Sequence, residues 1–371
     1  MILFNGWDSM REERFKNIDF LRFLGVIIIA YFHMISCGLS NFTECSPIIN
    51  NIKVNASWGF FWVEFFFILS GFFLFKYTNF NIKFSTFFIK KITRLLPPII
   101  FAFLLFNVFS WFNLVNYQKH INIYVLLFLN NIGITSQQTM GNFHPLWFIS
   151  SLFWVFMFYF YLKNLITEKW FNFLIAIITF FSYVFITNTS WHPPVISLDF
   201  VNAGMLRAFG GIGLGYFLAM LYNSTFIKIS SVWSKLIITG IEFYFLFFVI
   251  QNTIFHRLNF PNITFFVIHF FCLIYLFLIN KGYISNLFNN NFSVLLGRYS
   301  YSIFVTHIII IDLVNKNIWL KNPTILILHP FLNIIGVLIA CLIFGITTFH
   351  LVEKPAQIYF KRCLCLKKNN N

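Results

Sequence analysis

Residues 18–34 read IDFLRFLGVIIIAYFHM, an apolar run that contains two ionisable side chains, Arg22 and His33. At about 100° per residue, a spacing of eleven brings both side chains to one face of a helix after three turns. Charged groups are costly inside a membrane helix and usually serve a function there. Two structural alternatives stay open: Asp19 could neutralise Arg22 from three residues away, and a membrane histidine could simply bridge helices. The run therefore predicts a membrane enzyme or transporter, subject to those alternatives.

The composition of the 371-residue chain is that of a helical membrane protein. Hydrophobic residues make up 59% of it and charged residues 10%, whereas ordinary soluble domains carry about a quarter charged residues. The apolar residues fall in repeated runs of about 20, the length that crosses a bilayer as a helix. We therefore predict an all-α, polytopic helical fold and exclude a soluble globule.

The net charge of +15 is the second global feature. Such a charge is compatible with binding to nucleic acid, but the basic residues are scattered through short loops between the apolar runs. In membrane proteins, basic loops of this kind remain on the cytoplasmic side and set the orientation. The predicted macromolecular surroundings are accordingly the lipid bilayer and not nucleic acid.

The apolar runs give ten predicted spans with both termini in the cytoplasm. This arrangement keeps every basic loop, and the basic C-terminal tail, on the cytoplasmic side. The spans lie near residues 18–38, 58–77, 95–115, 145–163, 170–187, 204–222, 233–252, 263–280, 294–315 and 325–351, and the basic loops cover 76–94, 163–169, 223–235 and 280–293.

Segment 121–134 is apolar, but it is short and interrupted by asparagine and glycine. Counting it as a span would place the later basic loops outside, so we predict an interfacial or re-entrant segment. The remainder forms one transmembrane domain, 18–352, between a cytoplasmic segment, 1–17, and a basic cytoplasmic tail, 353–371.

Familiar soluble-enzyme motifs are missing from the sequence. It contains no H-E-x-x-H, no nucleotide-binding glycine loop and no nucleophile elbow, so it predicts no metal site. Cys37 and Cys45 both fall near the predicted outer face and could pair in an oxidising compartment. Gly211 and Gly215 form a small-xxx-small pair, which favours close helix packing.

Three titratable residues from three predicted spans share one depth in the membrane. At about 1.5 Å per residue, His33, Glu64 and His307 all lie roughly 20–22 Å from the cytoplasmic face, and Arg22 lies about 15 Å nearer to it. A histidine can take a proton from a hydroxyl that attacks a thioester, and a carboxylate can fix its tautomer. Glu64 also has a structural alternative, an ion pair with Arg207 or Lys53.

A basic cluster stands in FFIKKITRLLPPII, residues 87–100. Lys90 and Arg94 lie one helical turn apart on a common face. The cluster could be an ordinary cytoplasmic anchor, or it could bind the anionic head of a cytosolic donor. Arg207, in GMLRAFGGIGLGYF, begins an apolar span and is harder to explain as an anchor.

Taken together and in order, these motifs resemble the acyltransferase 3 family of multi-pass membrane acyltransferases. The resemblance rests on the Arg22–His33 spacing, on WGFFWVEFFFILSGFFL with Glu64, and on the basic motif. It continues through Leu146-Trp147-Phe148, the Arg207 segment, LGRYSYSIFVTHIIII, which ends past His307, and LVEKP. Two features depart from relatives: FISSLFWV has no glutamate after the Trp motif, and no C-terminal hydrolase-like domain follows.

The resemblance implies an O-acyltransferase in the bacterial cytoplasmic membrane. Its co-substrate would be acyl-CoA, typically acetyl-CoA, with no tightly bound cofactor, and its acceptor a sugar hydroxyl of a cell-surface or lipid-linked glycan. The residues expected to act are His33 as base, with Glu64 and Arg22 as catalytic partners, Lys90, Lys91 and Arg94 at the donor, and Trp147, Arg207, Ser300 and His307 as further pocket members.

Two other functions remain compatible with the sequence. A transporter or flippase of a lipid-linked glycan would also need buried charges near the middle of the membrane, but no clear inverted repeat is visible. The second alternative is a catalytically inactive family member that serves as a partner subunit. The missing glutamate makes this second alternative possible, and the intact Arg22–His33 pair argues against it.

Overall fold

The computed structural model describes most of the chain as a bundle of helices. The residues described are 14–39, 42, 46–55, 58–115, 123–130, 145–189, 197–198, 201–224, 231–255 and 263–369. Within them the only strands are two of two residues each, Ser197–Leu198 (β1) and Val201–Asn202 (β2), which pair antiparallel.

Fourteen α-helices lie in the described ranges. Short π-helical segments follow three of them, at Met34–Leu39, Asn315–Trp319 and Phe349–Glu353. The helices are α1 Lys16–His33, α2 Pro47–Asn55, α3 Trp62–Tyr77, α4 Phe84–Trp111, α5 Trp147–Leu165, α6 Glu168–Thr189, α7 Ala203–Ser224, α8 Val232–Ile254, α9 Ile263–Ile279, α10 Tyr283–Leu287, α11 Asn291–Val314, α12 Pro323–Leu328, α13 Pro330–Thr348 and α14 Lys354–Asn369.

The all-α polytopic prediction is confirmed. In the described part of the chain, nine helices are long and apolar enough to cross a membrane, and α9 is a shorter apolar helix of 17 residues. Each of the ten predicted spans overlaps one of these helices. Which ends face the cytoplasm stays a prediction.

The basic segment before the third span was predicted as a loop, but its second half is helical. Residues 76–94 were expected to be a loop, but α4 begins at Phe84 and continues through Pro97 and Pro98. Lys90 and Arg94 therefore lie on a helix that extends beyond its apolar part. Each proline lacks a backbone N–H, so one carbonyl of the preceding turn is left without its usual helical partner.

The predicted last span, 325–351, was wrong as a single element. It is divided at His329, the residue between α12 and α13. Pro330 opens α13, a position at which the absent N–H costs nothing because the first N–H groups of a helix have no partner. Apolar periodicity carried through this boundary, since residues on both sides of it are hydrophobic.

Two further predictions concern residues at the edge of what the structure describes. In segment 121–134, residues 123–130 form a 3₁₀ turn at Ile123–Val125 and a further turn, with no spanning helix in the described part. The carbonyl of Phe128 there accepts hydrogen bonds from Ser150 and Trp154 of α5. Cys45 lies outside the described residues, so its pairing with Cys37 stays a prediction.

Helix α8 carries a fully buried carboxylate, Glu242, whose role is structural. Its oxygens accept hydrogen bonds from the backbone N–H groups of Gly282, Ile284 and Ser285, at 3.1–3.2 Å. These N–H groups belong to the start of the short helix α10, where the N–H groups of any helix lack internal partners. Glu242 thus fixes the connection between α9 and α11.

The first helix packs along α11 in a parallel orientation. A Cβ added to Gly297 would lie 2.5 Å from the Cβ of Asp19, near the start of both helices. Further along, His307 of α11 contacts His33 at the end of α1. Because both contacts advance in the same chain direction, the polar residues of α1 and α11 face one another along a common seam.

Helices α3 and α7 approach so closely that their backbones touch. A Cβ added to Gly215 would lie 2.3 Å from the carbonyl oxygen of Ile68, and one added to Gly211 would lie 2.4 Å from the Cβ of Phe67. The prediction that Gly211 and Gly215 serve helix packing is confirmed. This approach brings Glu64 on α3 within reach of Arg207 on α7.

Replacing Gly215 with alanine should therefore destabilise the fold. The added methyl overlaps a backbone that cannot move without separating α3 from α7, and overpacking of this kind costs about 1–3 kcal/mol. The melting temperature of the protein purified in detergent is the measurement. Gly240→Ala is the matched control, because a Cβ there has nothing within 4 Å. Equal melting temperatures for the two variants would contradict the packing argument.

Candidate active site

The centre of the candidate site is a pair of histidines from opposite ends of the chain. Nδ1 of His33 lies 3.1 Å from Nε2 of His307, and their ring centroids are 5.1 Å apart. His307 is fully buried, whereas His33 is partly exposed. The structure thus turns a shared depth, inferred from sequence, into a direct contact between α1 and α11.

The backbone determines which nitrogens of this pair carry protons. Nδ1 of His307 lies 2.6 Å from the carbonyl oxygen of Phe304, which can only accept, so this nitrogen is the donor. In the neutral form expected of a fully buried imidazole, Nε2 of His307 then accepts. Nδ1 of His33 must donate to it, which leaves the lone pair of His33 on Nε2, the nitrogen that can take a proton.

Local structure holds His33 in this orientation. It is the last residue of α1, immediately before the π-helical segment Met34–Leu39. Single-turn π segments inside helices are frequent at functional sites. The neighbouring Phe32 packs edge-on against His33 and against Phe60, and the Cβ of Phe32 lies where a side chain at Gly59 would have to be. The end of α1 is therefore fixed against the residues that precede α3.

Glu64 does not orient His33 in this structure, which corrects the role we predicted for it. Its Oε1 accepts a hydrogen bond of 2.5 Å from Nε of Arg207, and its Oε2 accepts one of 3.0 Å from the hydroxyl of Tyr183. Both ionised side chains are fully buried. The structural alternative, an ion pair with Arg207, is the one that the geometry supports, and His307 occupies the position expected of the orienter.

Arg207 also links this ion pair to the aromatic residues around the histidines. Its guanidinium carbon lies 5.3 Å from the centroid of the Trp147 ring. Its Nη2 donates a hydrogen bond of 3.5 Å to the carbonyl oxygen of Phe60. Nη1 is buried without a hydrogen-bond partner among the described residues. Trp147, a predicted pocket member, therefore packs on the ion pair. Phe60 lies between the ion pair and the residues Phe32 and His33.

A second polar cluster lies at the opposite end of α1. Asp19 accepts from Nη1 of Arg22 at 2.8 Å and from Nε of Arg14 at 2.9 Å. Asp19 and Arg22 are buried, and about a quarter of the Arg14 side chain is exposed. The alternative in which Asp19 neutralises Arg22 is thus realised. Arg22 lies eleven residues before His33, about 16 Å away along the helix.

Glu353, of the LVEKP motif, joins three other helices to this cluster. Its carboxylate accepts hydrogen bonds from Ser302 of α11 at 2.5 Å and from Gln357 of α14 at 3.0 Å. It also interacts electrostatically with Arg22 and Arg94. Arg22 and Arg94, assigned to the catalytic centre and to the donor site respectively, therefore both lie close enough to this one carboxylate to interact with its charge.

The other predicted donor residues divide between two environments. Lys90 is partly exposed, one helical turn from Arg94, as predicted. Lys91 is buried, and its ammonium lies over the rings of Phe87 and Phe156, at 5.0 and 4.7 Å from their centroids. Lys91 thus packs α4 against α5, whereas Lys90 and Arg94 are partly exposed.

Tyr183 and Glu353 are site residues that sequence reasoning did not assign to the site. Tyr183 is one of 15 tyrosines in the chain, and no spacing relates it to Glu64. The signal for Glu353 was present, since it is an acidic residue in one of the motifs on which the resemblance to the family rests. Among the described residues, no three histidine, cysteine, aspartate or glutamate side chains are arranged to hold a metal ion.

The Glu64–Arg207 pair should be needed for stability more than for chemistry. Glu64→Leu or Arg207→Leu alone leaves a buried charge unpaired, which costs about 3–5 kcal/mol, whereas the double variant that combines the two substitutions removes both charges and should lose less than the sum. Thermal unfolding of the four purified proteins in detergent measures this coupling. Strictly additive losses would exclude the ion pair as a stabilising contact.

Comparison with known proteins agrees with this arrangement. The family model described as an acyltransferase domain, Acyl_transf_3, matches residues 15–350, which is most of the chain and includes every site residue above except Arg14, Glu353 and Gln357. Neither the curated proteins nor the solved structures gave a significant match. The apolar helices and the family together identify a membrane protein with an acyltransferase domain. The chain therefore belongs to the acyltransferase 3 family.

Proposed function

We propose that this protein transfers an acyl group, with acetyl as the group to test first, from acyl-CoA to a sugar hydroxyl of a cell-surface or lipid-linked glycan. The observation that carries this proposal is the contact between His33 and His307, with the proton positions that the carbonyl of Phe304 imposes. A partly exposed histidine with a defined acceptor nitrogen is a general base that a hydroxyl can approach.

In the proposed reaction, Nε2 of His33 takes the proton of the sugar hydroxyl while the hydroxyl oxygen attacks the thioester carbonyl. The new carbon–oxygen bond forms, the carbon–sulfur bond breaks, and the thiolate of CoA leaves. The proton then passes from His33 to that thiolate. During the step the imidazolium of His33 is stabilised by the hydrogen bond from its Nδ1 to His307, which carries no charge of its own.

The second polar cluster is the proposed entry for the donor. Arg14, Lys90 and Arg94 lie at the end of the bundle that the positive loops place in the cytoplasm, and guanidinium groups bind phosphate well. Arg22 lies deeper, between this entry and His33. We place the protein in the bacterial cytoplasmic membrane, with the donor entering from the cytosol and the acceptor meeting His33 near the outer face.

The test supplies radiolabelled acetyl-CoA to membranes that contain the wild type or His33→Ala and measures label in the glycan fraction. We expect a loss of about 10²–10⁴-fold, the usual contribution of a general base. His269→Ala is the matched control. His269 is also a buried membrane histidine, but its Nδ1 is held by the carbonyl of Phe265 and its ring stacks on Phe248, away from the site.

His307 should act through His33 and not on substrate. His307→Gln retains an oxygen that can accept from Nδ1 of His33, and His307→Leu does not. We expect the glutamine variant to keep more activity than the leucine variant, with the loss in kcat and an unchanged KM for acetyl-CoA.

Equal transfer by wild type and His33→Ala at matched expression would overturn the base assignment. Lost glycan export with unchanged acetylation would support a transporter.

Arg94→Ala should weaken donor binding through the phosphates of CoA. We expect the KM for acetyl-CoA to rise about tenfold, since charge-assisted hydrogen bonds contribute about 1.5–3 kcal/mol. The KM for S-acetyl-pantetheine, which lacks the phosphates, should not change. Lys169→Ala, which removes an exposed charge from another predicted cytoplasmic loop, is the control. A parallel rise for both donors would place Arg94 outside the phosphate site.

A further inference from the structure

Ser300, on α11, has a buried hydroxyl that the architecture leaves without a partner. The residue is fully buried, and its Oγ makes no hydrogen bond with any of the described residues. A buried polar group without a partner costs about 1–3 kcal/mol, so such groups usually meet a ligand, a water or a catalytic role. The mechanism above does not use it.

Other buried hydroxyls in the membrane helices behave differently. Those of Thr179, Thr253 and Thr306 each donate to the carbonyl four residues earlier, at 2.6–2.7 Å. A serine in a helix can always make this bond to its own backbone. Ser300 makes no such bond, so its hydroxyl is left without a partner among the described residues.

Three contacts show which face of α11 carries Ser300. Gly297 touches Asp19, His307 bonds to His33, and Ile311 lies 3.6 Å from where a Cβ on Gly38 would be. At 100° per residue these α11 positions and Ser300 all fall within one arc of about 80°. Ser300 therefore faces α1, in the seam between the Asp19–Gly297 contact and the histidine pair.

The position of Ser300 along the seam matches one feature of the proposed donor. Ser300 precedes His307 by seven residues, which is about 10 Å along the helix. The pantetheine arm of CoA carries two amides, and at the rise of an extended chain the second lies about 8–9 Å from the sulfur, whereas the first lies within about 5 Å. The whole arm spans about 15 Å, close to the separation of Arg22 and His33.

We propose that Ser300 binds the second amide of the pantetheine arm while the thioester lies at His33. This inference rests on the proposed function, because it assumes an acyl-CoA donor. The arm would follow the α1–α11 seam from the arginines to the histidines. Its amide would supply the partner that the Ser300 hydroxyl lacks, and Ser300 would hold the reacting carbon in register with Nε2 of His33.

Three acetyl donors of decreasing length test the assignment. Acetyl-CoA and S-acetyl-pantetheine contain both amides, and S-acetyl-N-acetylcysteamine contains only the first. With Ser300→Ala we expect kcat/KM to fall five- to tenfold for the two longer donors, about the value of one neutral hydrogen bond. For the shortest donor it should be unchanged. Labelled acetyl groups in the membrane glycan fraction provide the readout for all three.

Thr306→Val is the matched control, because it removes a buried hydroxyl from the same helix that is already bonded to its own backbone. It should not alter the ratio between donors, and both variants should be produced at wild-type levels. An equal fall for all three donors with Ser300→Ala, or no fall, would overturn the inference. A wild type that uses none of the donors would instead overturn the proposed acyltransferase function.

Discussion

The parallel packing of α1 on α11 is the contact on which the candidate site depends. It joins residues 274 positions apart in the chain, His33 and His307, and aligns the polar face of the first span with that of a span near the C-terminus. Glycine at position 297 permits this approach, because any side chain there would collide with Asp19. Everything between the two helices, from the arginines to the histidines, is positioned by that one seam.

Charge compensation then decides which ionisable residues are available for chemistry. Glu64 and Arg207 neutralise each other in the interior, and Asp19 is shared by Arg14 and Arg22. Isolated charges would be very costly in such surroundings, whereas paired ones persist at modest cost. The histidine pair is the exception, since both rings can be neutral and can gain or lose a proton without leaving a permanent charge in the bundle.

The sequence predicted the depth of residues in the membrane well, but it predicted poorly which neighbouring helix each side chain faces. Apolar run length and the 3.6-residue period gave the spans, the common face of Arg22 and His33, and the level that His33 shares with His307. Depth says nothing about rotation about the helix axis, so Glu64 was assigned to His33 although it faces Arg207. Nor could the apolar pattern show the break before Pro330, since hydrophobic residues continue on both sides of it.

The role proposed for His307, to orient His33, has a physical advantage over a carboxylate at the same position. In a water-exposed enzyme a carboxylate can hold the base, because solvent lowers the cost of its charge. Inside the bundle, a carboxylate beside His33 would have to be buried as an anion while the base is neutral, with no counter-charge until the proton moves. The chain from the carbonyl of Phe304 through His307 to His33 fixes the same tautomer using neutral groups only. In the proposed reaction, charge would then arise in the site only during the transfer itself, when the developing thiolate could balance it.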